Sequence, residues 1–216
     1  VKTALIAGAT GLVGNELLKL LIASDEYETV YSVTRKPANL TSDKLKEFQI
    51  DFNDLDKLRL PSPPHHVFCT LGTTIKKAKT KENFRKVDYD YVVKLASLAK
   101  SLGTEKFLVV SSLGANAKSS IFYSRVKGEM ENAIHDLNLP QTFVFRPSLL
   151  MGDRSEKRAG EKTAIAVYKV LDPLFIGKLK KYKGIRIEKV AKAMIETASK
   201  NDQKFQIIES DEIQKF

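Results

Sequence analysis

An α/β fold built on a doubly wound parallel sheet is predicted by three observations. The chain opens on a short apolar run, Lys2–Ala7, that passes at once into glycines at 8, 11 and 14. Short apolar segments then alternate with segments of helical period, the pattern of strands joined by crossover helices. The glycines, the small polar stretches and the hydroxyl pairs all fall where a strand ends, which is where such a sheet binds its ligand.

Lys2–Ala7 is too short for a helix and apolar without alternation, as a strand covered on both faces is. Asn15–Ala23 is apolar with few breaks and reads as the helix packed on that strand. Thr29–Thr34 is the second strand and Phe48–Phe52 a shorter third; Pro61, Pro63 and Pro64 mark the loop before a fourth, His66–Leu71. His65 and His66 have no cysteine or carboxylate pattern around them, so no metal site is expected. From Thr80 to Leu102 the period turns helical, with Phe84, Val87, Tyr91, Leu95 and Leu98 on one face, Thr80 as N-cap and Gly103 as the stop. Lys106–Ser112 is the fifth strand, apolar and then abruptly hydroxylic. A loop through Gly114, Asn116 and Ser120 leads to a second long helix, Tyr123–Leu137, with Val126, Met130, Ala133, Ile134 and Leu137 as its buried stripe. Gln141–Arg146 is the sixth strand, stopped by Pro147. Beyond Met151-Gly152 the pattern loosens: Gly160–Leu171 reads as a helix ended by Asp172-Pro173, Glu188–Glu196 as an amphipathic helix and Lys204–Glu209 as a last strand. With no repeat and no low-complexity linker, one domain over 1–216 is expected, residues 151–216 contributing a small C-terminal lid on the substrate side.

Composition narrows the function. The 216 residues suffice for one sizeable core, and 43% apolar content with no run of membrane-spanning length points away from a membrane protein. Cys69 is the single cysteine, which excludes an intrachain disulfide or a cysteine metal cluster. No signal peptide precedes the first strand, so the cytoplasm is the expected location. The net charge of +10 is concentrated in Lys76, Lys77, Lys79 and Lys81 and in Lys178, Lys180, Lys181 and Lys183. No recognition motif or aromatic interleaving accompanies these runs, which disfavours a nucleic-acid partner, and an anionic cofactor accounts for part of the bias.

Gly8-Ala9-Thr10-Gly11-Leu12-Val13-Gly14 stands between a strand and a helix, the setting of a dinucleotide-binding turn. Gly8 permits the tight turn, Gly11 lets backbone approach a pyrophosphate, and Gly14 lets the helix sit close to the strand. Free N–H groups at the helix start then face the phosphates. The spacing is Gly-x-x-Gly-x-x-Gly, and the Gly-Lys-Ser/Thr of a nucleoside-triphosphate loop is missing. At the end of the second strand, where NAD-specific proteins place a carboxylate on the ribose, the chain reads Thr34-Arg35-Lys36-Pro37. A guanidinium there accepts a 2′-phosphate, which favours NADP(H) over NAD(H). Asp51, next to Phe52, is placed to hold the adenine amino group or else to cap the turn into Asn53. Leu71-Gly72-Thr73-Thr74, small and polar, follows the fourth strand where it meets the cofactor.

Tyr123 and Lys127 are four apart, hence on one helix face. A nearby ammonium stabilises a phenolate, so the phenol can give a proton to a carbonyl oxygen as hydride arrives, or take one in reverse. A hydroxyl of Ser112 or Ser111 can hold the same oxygen. The pattern is short and gains weight from its address, after a strand ending Ser-Ser and downstream of the glycine turn.

The glycine turn, Ser111-Ser112, Tyr123-x-x-x-Lys127 and Arg146-Pro147-Ser148 resemble the short-chain dehydrogenase/reductase superfamily in its extended or atypical branch. Leu71-Gly72-Thr73-Thr74, Phe84-Arg85-Lys86-Val87-Asp88-Tyr89 and Ser111-Ser112-Leu113-Gly114-Ala115 are similar to the Tat-interacting-protein-like oxidoreductases, a likeness that covers nearly the whole chain. The resemblance implies a Rossmann fold, NADP(H) binding, Tyr123 with Lys127 as the catalytic pair, and Pro147, Ser148 and Leu149 along the nicotinamide pocket. Many members carry a proton-relaying asparagine on the helix after the fourth strand; this chain has Asp88 near that place. The expectation is therefore an NADP(H)-dependent oxidoreductase of a small carbonyl or alcohol, with a nucleotide-sensing regulator that binds a protein partner as the alternative. Monomer and homodimer are both open.

Overall fold

The computed structural model describes residues 1–152, 182–200 and 202–216. The expected helix Gly160–Leu171 with its Asp172-Pro173 stop, and Lys178, Lys180 and Lys181, lie outside the described residues. The strands are β1 (Lys2–Ala7), β2 (Tyr27–Thr34), β3 (Leu45–Gln49), β4 (His66–Cys69), β5 (Lys106–Val110), β6 (Gln141–Arg146), the short β7 (Leu150–Met151) and β8 (Ile185–Arg186), and β9 (Phe205–Glu209). β7 and β8 pair with each other; the other seven form one sheet in the order β3-β2-β1-β4-β5-β6-β9, every neighbouring pair parallel. Helices α1 (Leu12–Ala23), α2 (Ile75–Ala78), α3 (Lys81–Arg85), α4 (Tyr91–Ser101), α5 (Phe122–Asp136), α6 (Ile187–Lys200) and α7 (Ser210–Ile213) complete the described elements.

Side chains of β1 sort the two layers. Ala4 and Ile6 share one core with Leu17, Leu18 and Leu21 of α1 and with Val190, Ala191 and Met194 of α6. Leu5 and Ala7 share the other with Leu95 of α4 and with Met130 and Ile134 of α5. Both faces are apolar, which is why the strands read as unbroken hydrophobic runs. The order of connections reverses between β1 and β4, and the crevice at the carboxyl ends of those two strands is the natural ligand site.

The described part of the last third builds onto the sheet: α6 packs on α1, and β9 pairs with β6 from Thr142↔Phe205 to Arg146↔Glu209. Its other described piece, β7 with β8, sits beside the cleft.

Several boundaries differ from the expectation: α1 begins at Leu12 and β2 at Tyr27, β5 ends at Val110 before the two serines, and α6 runs on to Lys200; three further differences shape the site. β3 covers Leu45–Gln49 and stops before Asp51, because the Asp51 carboxylate accepts the Asn53 N–H at 2.8 Å and starts a 3₁₀ turn over Phe52–Lys57. β4 ends at Cys69, where the Thr70 hydroxyl turns back to donate to the Ala7 carbonyl at 3.0 Å. The helix expected from Thr80 to Leu102 begins at its Thr80 cap but contains a π-turn, Lys86–Asp90, between α3 and α4. A π-turn inserts one residue into the helical period. Asp88, in this turn, is buried in line with Phe84 and Tyr91, while Val87 is only half-buried.

A buried histidine anchors the opposite end of the sheet. His66 has no exposed surface and its Nδ1 lies 2.7 Å from the Tyr27 hydroxyl. Burial, reinforced by the charges of Lys2 and Lys106, pushes the imidazole down to about 3. A depressed folded-state value means that the unfolded chain takes up the proton first, near 6.5. The stabilisation is thus complete above pH 6.5 and is lost as pH falls toward about 3, at up to ~1.4 kcal/mol per pH unit. Urea unfolding at pH 7 and pH 5 is expected to differ by about 2 kcal/mol from this group, and His66→Gln to flatten that difference; an unchanged slope in the variant would locate the sensitivity elsewhere.

Candidate active site

The turn between β1 and α1 is built by its glycines. Gly8 has φ +94°, in the left-handed region, and its carbonyl accepts the Gly11 N–H at 2.9 Å. A Cβ on Gly14 would stand 2.1 Å from the Gly8 carbonyl oxygen and 2.5 Å from the Thr70 Oγ1, so α1 is pressed directly onto the turn and the end of β4. The N-cap is Gly11, which brings no capping side chain, and the first turn carries no acid. Amide donors of Leu12, Val13 and Gly14 therefore point out of the helix end, with the positive end of its dipole behind them. Amides without a competing carboxylate, over a cradle that a side chain would fill, fit the diphosphate of a dinucleotide.

A cleft of about 470 Å³ opens over the carboxyl ends of β1, β4 and β5. Thr10, Gly11, Leu12 and Val13 form one wall and Thr70 to Thr74 a second; Ser111, Tyr123, Lys127 and Leu150 line it as well. The structure thus brings the glycine turn, the stretch Leu71-Gly72-Thr73 and the Tyr–Lys pair to one cavity.

α5 presents Tyr123 and Lys127 on the same side. The Tyr123 ring is held against Phe84 of α3, with centroids 5.4 Å apart. Lys127 is buried, its side chain 4% exposed, and its Nζ lies 2.8 Å from Oδ1 of Asp88, itself 1% exposed. The other Asp88 oxygen accepts the Thr73 N–H at 2.8 Å. Burial disfavours the charged form of this lysine; the Asp88 carboxylate outweighs it and holds the ammonium above the usual lysine range.

The two serines differ. Ser111 is buried on the cleft and its hydroxyl donates to Glu131 Oε1, on α5. Glu131 is gripped by Arg146 through Nε at 3.1 Å and Nη2 at 2.6 Å, and Arg146 also reaches Glu209 at 2.9 Å. A carboxylate so paired only accepts, so the single Ser111 proton belongs to Glu131. Ser112, half-buried, turns its hydroxyl to the Leu113 carbonyl at 3.2 Å and is not among the cleft-lining residues.

Other expected residues lie off the cleft wall. Arg35 and Lys36 are exposed just beyond β2, in a turn fastened by the Lys36 N–H to the Thr34 hydroxyl at 3.2 Å. Asp51 caps its 3₁₀ turn, and Phe52 is buried in the core against Tyr91, with centroids 5.5 Å apart. Pro147 is buried, the Ser148 hydroxyl donates to the Lys183 carbonyl, and Leu149 is exposed; Leu150 is the residue of that segment that reaches the cleft. Sequence reasoning missed Thr70, Lys77 and Glu131. Glu131 had a signal: it lies four residues past Lys127, an acid beside Met130 on the apolar stripe.

Fold and cleft together define a nucleotide-binding α/β protein with a Rossmann-type parallel sheet. The chain belongs to the NAD(P)H-binding family, whose model matches residues 8–201. Protein HTATIP2 of Rattus norvegicus is 38% identical over 164 residues, 74% of this chain and 67% of that protein. Protein FMP52, mitochondrial, of Debaryomyces hansenii is 37% identical over 164 residues, 72% of this chain and 70% of that one. Among solved structures, MoeE5 in complex with UDP-glucose and NAD matches with a TM-score of 0.71 at 17% identity, over 98% of this chain and 79% of that chain; at that identity the fold is what is shared. The resemblance to the Tat-interacting-protein-like proteins is borne out. The cytoplasmic expectation is corrected, because the FMP52 relatives are named as mitochondrial proteins. Among the described residues no helix is long and apolar enough to cross a membrane.

Proposed function

We propose that the chain, acting as a single domain over 1–216, is an NADP(H)-dependent oxidoreductase of a small carbonyl or alcohol. The observation that carries this is the shared cleft, in which the amide cradle and the Tyr123–Lys127 pair face the same volume. A bound nicotinamide supplies or accepts the hydride. Tyr123 gives its phenolic proton to the carbonyl oxygen, or takes it back from the alcohol. Lys127 places a positive charge beside that phenol, and Ser111, whose proton is held by Glu131, offers the substrate alcohol only an acceptor oxygen. Leu150, at the cleft with the β7–β8 pair, supports a substrate-side contribution from that pair, whereas α6 and β9 of the last third are built into the sheet layers. Steady-state oxidation of NADPH over a panel of aldehydes and ketones tests the proposal. Tight nucleotide binding with no turnover on any member, and a partner captured only with nucleotide, would assign the sensing role instead.

The NADP(H) preference rests on Arg35 and Lys36, at the end of β2, where the segment Thr34–Pro37 has no carboxylate of its own and Glu47 of β3 is engaged by the Ala38 N–H at 2.8 Å. Losing one charge-assisted contact to a phosphate costs about 1.5–3 kcal/mol. Arg35→Ala is expected to weaken NADPH by roughly 10–100-fold and leave NADH within about twofold, measured by nucleotide fluorescence titration. Equal weakening of both would remove the phosphate grip.

A further inference from the structure

We propose that Asp88 is a positioning residue of the reactive pair: its carboxylate keeps the Lys127 ammonium charged and fixed in the cleft. The inference rests on the oxidoreductase reading for its use and on geometry for its content. A lysine this buried favours the neutral amine, since low-dielectric surroundings penalise the charge. The Lys127 Nζ meets Asp88 at 2.8 Å, and neither side chain has appreciable access to water. Asp88 cannot drift, because its second oxygen holds the Thr73 N–H at 2.8 Å, on the loop that lines the cleft after β4. The π-turn delivers the carboxylate inward, and Gly72 lies over the pair: a Cβ there would stand 3.4 Å from Asp88 Oδ1 and 4.0 Å from Lys127 Nζ.

The other groups that face Lys127 do not supply this charge. Tyr123, on its own helix, is a phenol. Cys69, from β4, is buried and its thiol is pushed up to about 12. Lys77, from α2, lines the same cleft and is itself cationic. Glu131, one turn along α5, is neutralised by Arg146. Among the described residues, Asp88 is the anion that the ammonium touches. Asp88 thereby also ties the position of the lysine to the nucleotide-facing loop.

The test is the pH dependence of Lys127 acylation by acetic anhydride, read by peptide mass spectrometry on the full chain. Asp88→Asn keeps the shape and an acceptor for Thr73. The labelling midpoint is expected to fall by about two pH units, which makes Lys127 roughly 100-fold more reactive at pH 8. A midpoint within about half a unit of the native one would overturn the proposal. The native chain gives an independent arm, needed should the variant not fold. Its Lys127 ¹³Cε resonance, assigned by comparison with Lys127→Arg, is expected to stay at the charged-form position up to about pH 10, and discharge below about pH 9 would be equally fatal. Neither arm requires turnover. A chain that shows the shift but oxidises no NADPH keeps this role for Asp88 and loses the oxidoreductase reading.

Discussion

Tyr123→Phe is expected to lower NADPH-dependent carbonyl turnover by about 10²–10⁴-fold while NADPH affinity stays within about threefold, because general acid–base contributions are of that size. The substitution removes one oxygen and little else. The ring is packed against Phe84, and phenylalanine retains that contact. Lys127 keeps Asp88 as its partner, so the buried charge remains compensated and the helix has no reason to move. Ser111 cannot stand in as the proton donor, since its proton is committed to the carboxylate of Glu131. The loss should therefore appear in kcat and kcat/KM together, as expected for an interaction made only in the transition state. Unchanged turnover across the panel would mean that the proton travels by another route, and the oxidoreductase proposal would lose its acid.

The parts of this site that were legible in the sequence are those whose physics is local. β1 and β6 have the expected boundaries because a strand buried on both faces is a continuous apolar run, and both end at abrupt chemical changes, at Gly8 and Pro147. The turn at Gly8 and the pairing of Tyr123 with Lys127 follow from spacing on a single element. What spacing could not show are contacts between elements. Asp88 meets Lys127 across two elements: a count of threes and fours from Phe84 admits both Val87 and Asp88 to the buried face, and it is the charged one that is buried there, against Lys127. Glu131 of α5 reaches Ser111 after β5 and Arg146 on β6, contacts between successive elements that no single-element spacing shows. β3 lies earlier than expected, over Leu45–Gln49, whereas the apolar Ile50 and Phe52 read as part of a third strand. A capping carboxylate between them decides the backbone, and the Phe52 side chain packs in the core.

Gly14→Ala is expected to damage stability and nucleotide binding together. The added Cβ would fall 2.1 Å from the Gly8 carbonyl oxygen and 2.8 Å from the Gly8 carbonyl carbon. Those atoms are backbone, already held by the Gly11 N–H, and cannot rotate away as a flexible side chain would. Relief requires α1 to move off the turn. That movement strains the packing of Leu17, Leu18 and Leu21, all without exposed surface. Overpacking of this kind costs about 1–3 kcal/mol, or roughly 2–10 °C in melting temperature for a chain of this size. The amides of Leu12 and Val13 move with the helix, so a diphosphate loses its donors even where the fold survives, and NADPH affinity is expected to fall by at least about tenfold. Gly103→Ala separates the two effects. Gly103 has φ +69° with open space around it, before the amino end of β5 and thus at the edge of the sheet opposite the cleft. Alanine there costs about 1–2 kcal/mol of left-handed backbone strain and should leave NADPH affinity untouched. If Gly14→Ala bound NADPH as the native chain does, the diphosphate would have to sit away from the amino end of α1, and the placement of the nicotinamide opposite Tyr123 would have no support.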